Sequence, residues 1–154
     1  MIDTRFSTAL QIVISVAVNE EANLRSTSQS LAAGLDTNPS FVRKLLIPLS
    51  EDGILVSSVG NRGGVRLGRP PNQIQLSEIY SSVIPEKKIW ATRHNVPAQC
   101  FVSENISELS EYLCDKAEQA VVDMLGSVTV EASIAELRRI EAEKRATESS
   151  IAAQ

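Results

Sequence analysis

Apolar residues recur along this chain in several rhythms, and each rhythm predicts an element. Phe6, Leu10, Val13 and Ala17 return at helical spacing, and Ile12 and Val16 widen the stripe, so a helix is expected over residues 4–18 with Asp3 as its cap. Glu20-Glu21-Ala22-Asn23 breaks that pattern and reads as a connection. A short helix follows from Ser28, which has a capping hydroxyl, to Gly34, which can supply the left-handed C′ conformation. Asn38 and Pro39 are a strong helix start, the first as N-cap and the second at the first helical position. Val42, Leu45, Leu46 and Leu49 then fall at i, i+3, i+4 and i+7, leaving Ser40, Arg43 and Lys44 on the opposite face.

The rhythm changes after Asp52-Gly53. Ile54-Leu55-Val56 and Val65-Arg66-Leu67 flank the Gly-rich turn GNRGG, so two short strands are expected around a tip that presents Arg62. The tip glycines suit positive φ. A short helix, a tight turn, a capped second helix and a two-stranded wing make a winged helix-turn-helix, in which the second helix enters the DNA major groove. Ser40, Phe41, Arg43 and Lys44 near the start of that helix, its cap Asn38, and Arg62 on the wing are therefore candidates for contact with double-stranded DNA, with Arg25, Ser26, Thr27 and Ser28 ahead of the short helix as phosphate contacts. The alternatives stay open: Arg43 and Lys44 would also suit a solvated face, and Ser26 and Ser28 would also suit helix capping.

Beyond the wing, Gly68-Arg69-Pro70-Pro71-Asn72 reads as a loop, where Arg69 either meets a phosphate or is solvated. Leu76, Ile79, Tyr80 and Val83 mark a short helix starting at Gln75 or Ser77. Residues 85–103 have no clean period and hold the single Trp, the single His and the first Cys. From 105 to 128 a stripe of Ile106, Leu109, Leu113, Ala117, Ala120, Val121, Met124 and Val128 is longer than a small domain needs for itself. This helix is expected to form a homodimer interface. A break at 127–133, a helix from 134 with Ile134, Leu137 and Ile140, and a frayed or disordered polar tail complete the reading. The expected organisation is a DNA-binding domain over 1–84, a sensor-type loop over 85–104, dimerisation helices over 105–140 and a tail over 141–154. The fold class is mainly α with a small β-wing.

The run NPSFVRKLLIPLSEDGILVSSVGNRGGVRLGRPPNQIQLSEIY resembles the Rrf-two family of bacterial winged-helix transcription regulators, which contains the IscR, NsrR and CymR types. The likeness spans about residues 5–134. It implies a dimer that represses or activates genes, often under control of an iron–sulfur cluster or a thiol. Cluster-bearing members hold three cysteines in the region before the long helix. Here only Cys100 lies in the matching loop, and the His94-x5-Cys100 spacing is similar to the cluster-free branch.

Composition sharpens this picture. The 154 residues suffice for one cored domain with an extension. No apolar run is long enough to span a membrane and no signal-peptide pattern opens the chain, so a cytoplasmic protein is expected. The formal charge of −4 is unevenly spread. Residues 1–75 carry seven Lys/Arg against six Asp/Glu, and residues 76–154 carry eight against thirteen. Local cations, rather than net charge, would make the salt-sensitive phosphate contacts.

Candidate chemistry centres on Trp90, His94 and Cys100. Two cysteines are few for a cluster held by four strong ligands, so no cofactor is expected. The alternative is a cluster-binding sensor regulator in which non-cysteine ligands complete an iron–sulfur cluster. One His with two distant Cys does not suit zinc. Cys100 is left three roles: an oxidant-sensing thiol activated by a cation such as Arg93, the lining of a small-molecule pocket with Trp90 and Phe101, or a structural residue. A Cys–His nucleophile pair lacks a third group to orient the His, and no nucleotide-binding Gly-rich loop is present, so no enzyme activity and no catalytic residues are expected. A winged helix used for protein contact is opposed by Arg43, Lys44 and Arg62.

Overall fold

The computed structural model describes residues 3–60, 63–85, 88–95 and 97–152. In chain order the elements are α1 (Arg5–Glu21), α2 (Ser28–Gly34), α3 (Pro39–Glu51), β1 (Leu55–Ser58), β2 (Gly64–Leu67), a 3-10 turn (Pro71–Gln73), α4 (Leu76–Val83), α5 (Phe101–Gly126) and α6 (Val130–Ala152). The fold is mainly helical with a small antiparallel wing, in which Leu55 pairs with Leu67 and Ser58 with Gly64. Among the described residues no helix is long and apolar enough to cross a membrane.

One core gathers the head. Ile12, Val13 and Val16 of α1, Val42, Leu45 and Leu49 of α3, Ile54 and Leu55 at the wing root, and Ile79 and Val83 of α4 are buried together, as the helical stripes predict. Phe6 meets Tyr80 edge-on, with ring centroids 5.3 Å apart. The first three helices end alike, each with a left-handed residue that turns the chain: Asn23 (φ 54°), Asp36 (φ 48°) and Gly53 (φ 67°). The amides of the two residues around each turn reach back to the last helical turn, as in Thr37 N–H to the Ala32 carbonyl at 3.0 Å and Asp36 N–H to the Ala33 carbonyl at 3.3 Å.

Several boundaries differ from expectation, each for a local reason. Gly34 stays inside α2, and Asp36 takes the left-handed position, which Asp tolerates better than most side chains. Thr27, not Ser28, caps α2: its hydroxyl accepts from Ser30 N–H at 3.0 Å while the Ser30 hydroxyl accepts from Thr27 N–H at 2.9 Å. Asp3 does not stand at the N-cap of α1, which is Thr4; its carboxylate accepts from Arg5 N–H at 2.9 Å and pairs with the Arg5 guanidinium. Glu20 and Glu21 continue α1 instead of breaking it, because Glu20 is used: its carboxylate accepts the Leu67 N–H at 2.8 Å and ties the wing to α1. The 71–73 stretch is a 3-10 turn, and Arg69 bonds Glu78 at 2.8 Å and the Gln73 carbonyl at 3.2 Å, so it is neither solvated alone nor aimed at a phosphate.

The second half differs more. The break before α6 is only three residues, because Leu76 N–H reaches the Val128 carbonyl at 3.0 Å and Val130 N–H the Ile74 carbonyl at 2.9 Å, clamping the chain to the head. Val130 and Ile134 enter the head core, and Arg138 pairs with Glu21. The expected polar tail is instead the continuation of α6 to Ala152. Arg139 pairs with Glu136 and Glu143, and Arg145 with Glu141, at the three- and four-residue spacings that support an exposed helix.

Candidate nucleic-acid interface and the loop on α5

The start of α3 is built as its sequence dictates. Asn38 stands in extended conformation and its Oδ1 accepts from Ser40 N–H at 2.8 Å, while Pro39 fills the first turn. With Val42, Leu45, Leu46 and Leu49 buried, Arg43 and Lys44 are turned outward and exposed. Phe41 is half-buried against the core, so its role is packing more than presentation.

The wing lies close to the segment before α2. Val65 N–H donates to the Ser26 carbonyl at 2.8 Å, and Ser26 is only 3% exposed, its hydroxyl accepting from Asn19 Nδ2 at 3.0 Å. The Ser26 hydroxyl is therefore already engaged in holding the segment before α2. That close approach explains Gly64: a Cβ there would lie 2.7 Å from the Ser26 carbonyl oxygen. At Gly63 a Cβ would lie 2.3 Å from the Ser58 carbonyl oxygen. Of the described wing-tip glycines only Gly60 has positive φ, at 109°, so the Gly63-Gly64 pair answers to space and not to backbone hand. Arg62 falls outside the described residues.

Arg25, Thr27, Ser28 and Arg43 are brought together around one depression of about 280 Å³ between α2, α3 and the wing. Ser57 and Ser58 of β1 share it, which sequence reading missed because a Ser-Ser pair there reads only as a strand end. The depression mixes polar and apolar lining, is flanked by two cations and is open, which suits a sugar–phosphate backbone.

The unperiodic segment is stitched to α5 by a seam of small polar residues. Ser103, Ser107, Ser110 and Cys114 follow at spacings of four, three and four, so they share one face of the helix. Ser103 Oγ accepts from Gln99 N–H at 2.9 Å and Cys100 N–H at 3.0 Å, and Ser107 Oγ donates to the Arg93 carbonyl at 2.9 Å. Ser110 Oγ accepts from Trp90 Nε1 at 3.2 Å, and Ile89 N–H donates to Glu118 at 3.0 Å. The seam is a signal that the apolar periodicity passes over, since none of these serines belongs to the stripe.

Cys100 is not a loop residue but the N-cap of α5, which starts a turn earlier than the apolar stripe suggests. Its thiol is exposed and its pKa is held below the usual thiol value, first by the Ser103 N–H, then by the Ser103 hydroxyl and the Val102 N–H. The cause is the helix start and not Arg93. Cys114 is wholly buried, its Sγ 3.6 Å from the Trp90 carbonyl. Fourteen helical steps separate the two cysteines, roughly 21 Å at helical rise, so they cannot share one metal cluster within a chain. His94 is exposed. Trp90 lines a cavity on α5, but Cys100, His94 and Phe101 do not.

A capped second helix, a wing pinned to the segment ahead of α2 and a cation-flanked depression between them are the parts of a DNA-reading head. The family model described as an iron-dependent transcriptional regulator, Rrf2, matches residues 2–136. The chain belongs to the Rrf2 family. YwnA of Bacillus subtilis, which carries the name of an HTH-type transcriptional regulator, is 27% identical over 127 residues, covering 82% of this chain and 92% of its own. Among solved structures, a transcriptional regulator of Lactobacillus plantarum superposes with TM-score 0.74 at 22% identity, covering 96% of this chain and 98% of that one. CymR, the global cysteine regulator of B. subtilis, gives TM-score 0.62 at 20% identity, over 88% and 97% of the two chains. These likenesses make the Rrf2 chain described here a winged-helix protein of a transcription-regulator family, not an enzyme.

Proposed function

We propose that this Rrf2 protein is a homodimeric regulator that binds a pseudo-palindromic operator, with two α3 helices entering successive major grooves about 34 Å apart. The observation that carries the reading is the single depression that gathers Arg25, Thr27, Ser28 and Arg43 between α2, α3 and the wing. Arg43 meets a base edge or phosphate, Ser40 and Lys44 meet phosphates, and Arg62 enters the adjacent minor groove. Two copies pair through α5, where Ile106, Leu109, Leu113 and Met124 are exposed at helical spacing. The protein works without a cluster, a reading supported by the separation of its two cysteines along α5.

The test is an anisotropy titration of labelled duplex from the region upstream of its own gene. Arg43→Ala is expected to weaken binding by about 1–3 kcal/mol, with a shallower salt dependence if the lost contact is to phosphate. Unchanged affinity in the variant would remove α3 from the reading role.

A second reading concerns signal. The exposed thiol of Cys100, biased toward thiolate by the start of α5, is suited to oxidation. Peroxide is then expected to alter DNA binding by the parent and not by Cys100→Ser; an equal response in both ends the thiol-sensor idea.

A further inference from the structure

The cavity between the 90–93 segment and α5 has a volume of about 470 Å³, within the range of small-molecule sites. Its floor is apolar, from Ile106, Leu109 and Leu113, and one wall is Trp90, held in place by its bond to Ser110. Arg93 is the single charged residue among the described residues that line it, and no ion pair is formed by Arg93 among the described residues. An apolar floor, a flat indole wall and one cation at the rim select for a ligand with a flat apolar body and one negative charge.

We infer that this cavity is a binding site for a small organic carboxylate with a flat apolar body. The indole takes the flat face, the three aliphatic side chains take the edge, and the Arg93 guanidinium takes the carboxylate. The site also has a route to output. Ile106, Leu109 and Leu113 both floor the cavity and carry the exposed stripe, so a bound ligand presses on the surface through which two copies meet. That regulatory part rests on the paired reading above, whereas binding itself does not.

Trp90 is the only tryptophan, so its emission reports the cavity directly. The full chain is titrated with benzoate and, in parallel at matched ionic strength, with the neutral benzamide. Benzoate is expected to change the emission saturably and to bind about tenfold more tightly than benzamide, the gap one charge-assisted hydrogen bond supplies. Arg93→Gln should erase that gap with the melting curve unchanged, and Ser110→Leu, which fills the cavity, should abolish the response. An absent or unsaturable response, equal binding of the two probes, or a full response in Ser110→Leu overturns the site. An apparent benzoate affinity that stays the same from concentrations where the chain is single to those where it is paired overturns the regulatory part alone, because ligand and pairing would then be uncoupled. Sedimentation without probe separates the two failures: a dimer blind to benzoate sinks the site alone, and a monomer that binds benzoate sinks the pairing alone.

Discussion

Helices α3 and α5 are both amphipathic, yet only α3 buries its whole apolar face inside the chain, whereas α5 packs one side on α4 and leaves a second apolar stripe open. In α3 the apolar face of Val42, Leu45, Leu46 and Leu49 is buried, closed over by α1, α4 and the wing root. In α5 only Cys114 and Leu125 are buried, while Leu109 and Leu113 keep 52% and 48% of their surface exposed. A stripe of exposed aliphatic residues this long costs free energy unless something covers it. The first helix is therefore held by the head, and the second is proposed to be held by another copy.

The contrast can be broken first at its strongest point. Leu49→Ala removes a fully buried side chain from the head, so urea denaturation of that variant is expected to show a loss of about 2–5 kcal/mol. Leu113→Ala, half exposed on α5, should cost the single chain far less than Leu49→Ala and should appear mainly as weaker self-association. If both variants lose equally at protein concentrations too low for pairing, α5 is part of the head core and the contrast fails.

The smallest expected effect is electrostatic and confined to the head. Burial pushes the Glu78 carboxyl up, but the Gln75 N–H and the Arg69 guanidinium outweigh it and leave the pKa below the usual value of 4.5. A carboxyl with a lowered folded pKa contributes stability above its unfolded pKa and loses it as pH falls through the folded value. Glu78→Gln should thus be less stable than the parent at neutral pH, the gap closing as pH falls through the lowered folded pKa, with solvent screening keeping it modest. A gap that stays constant with pH would show that the charge of Glu78 is not what matters.

How much of this was legible in the sequence follows the same division. The head was readable because its signals are local: Asn38-Pro39 starts α3, four leucine-and-valine positions give its inner face, and Gly53 closes it. Ser26 was less legible, because a hydroxyl ahead of a helix looks free for a phosphate until its bond to Asn19 and the wing strand beside it are seen. Cys100 misled because its role as N-cap depends on Ser103, which carries no apolar signal. The tail misled because composition alone hides the Glu–Arg spacing that holds α6 together. The serine seam on α5 was present in plain view at helical spacing, but it orders a loop with no period of its own, and no local rule links the two.

Sedimentation velocity on the parent and on Leu109→Glu tests the central claim most directly. A chain of 16.7 kDa that pairs through α5 should run at twice that mass, and a carboxylate in the middle of the exposed stripe should return it to the mass of one chain with its helical circular dichroism intact. A parent that sediments as a single chain, or a variant that still runs as a dimer, would contradict the proposal that α5 joins two DNA-reading heads.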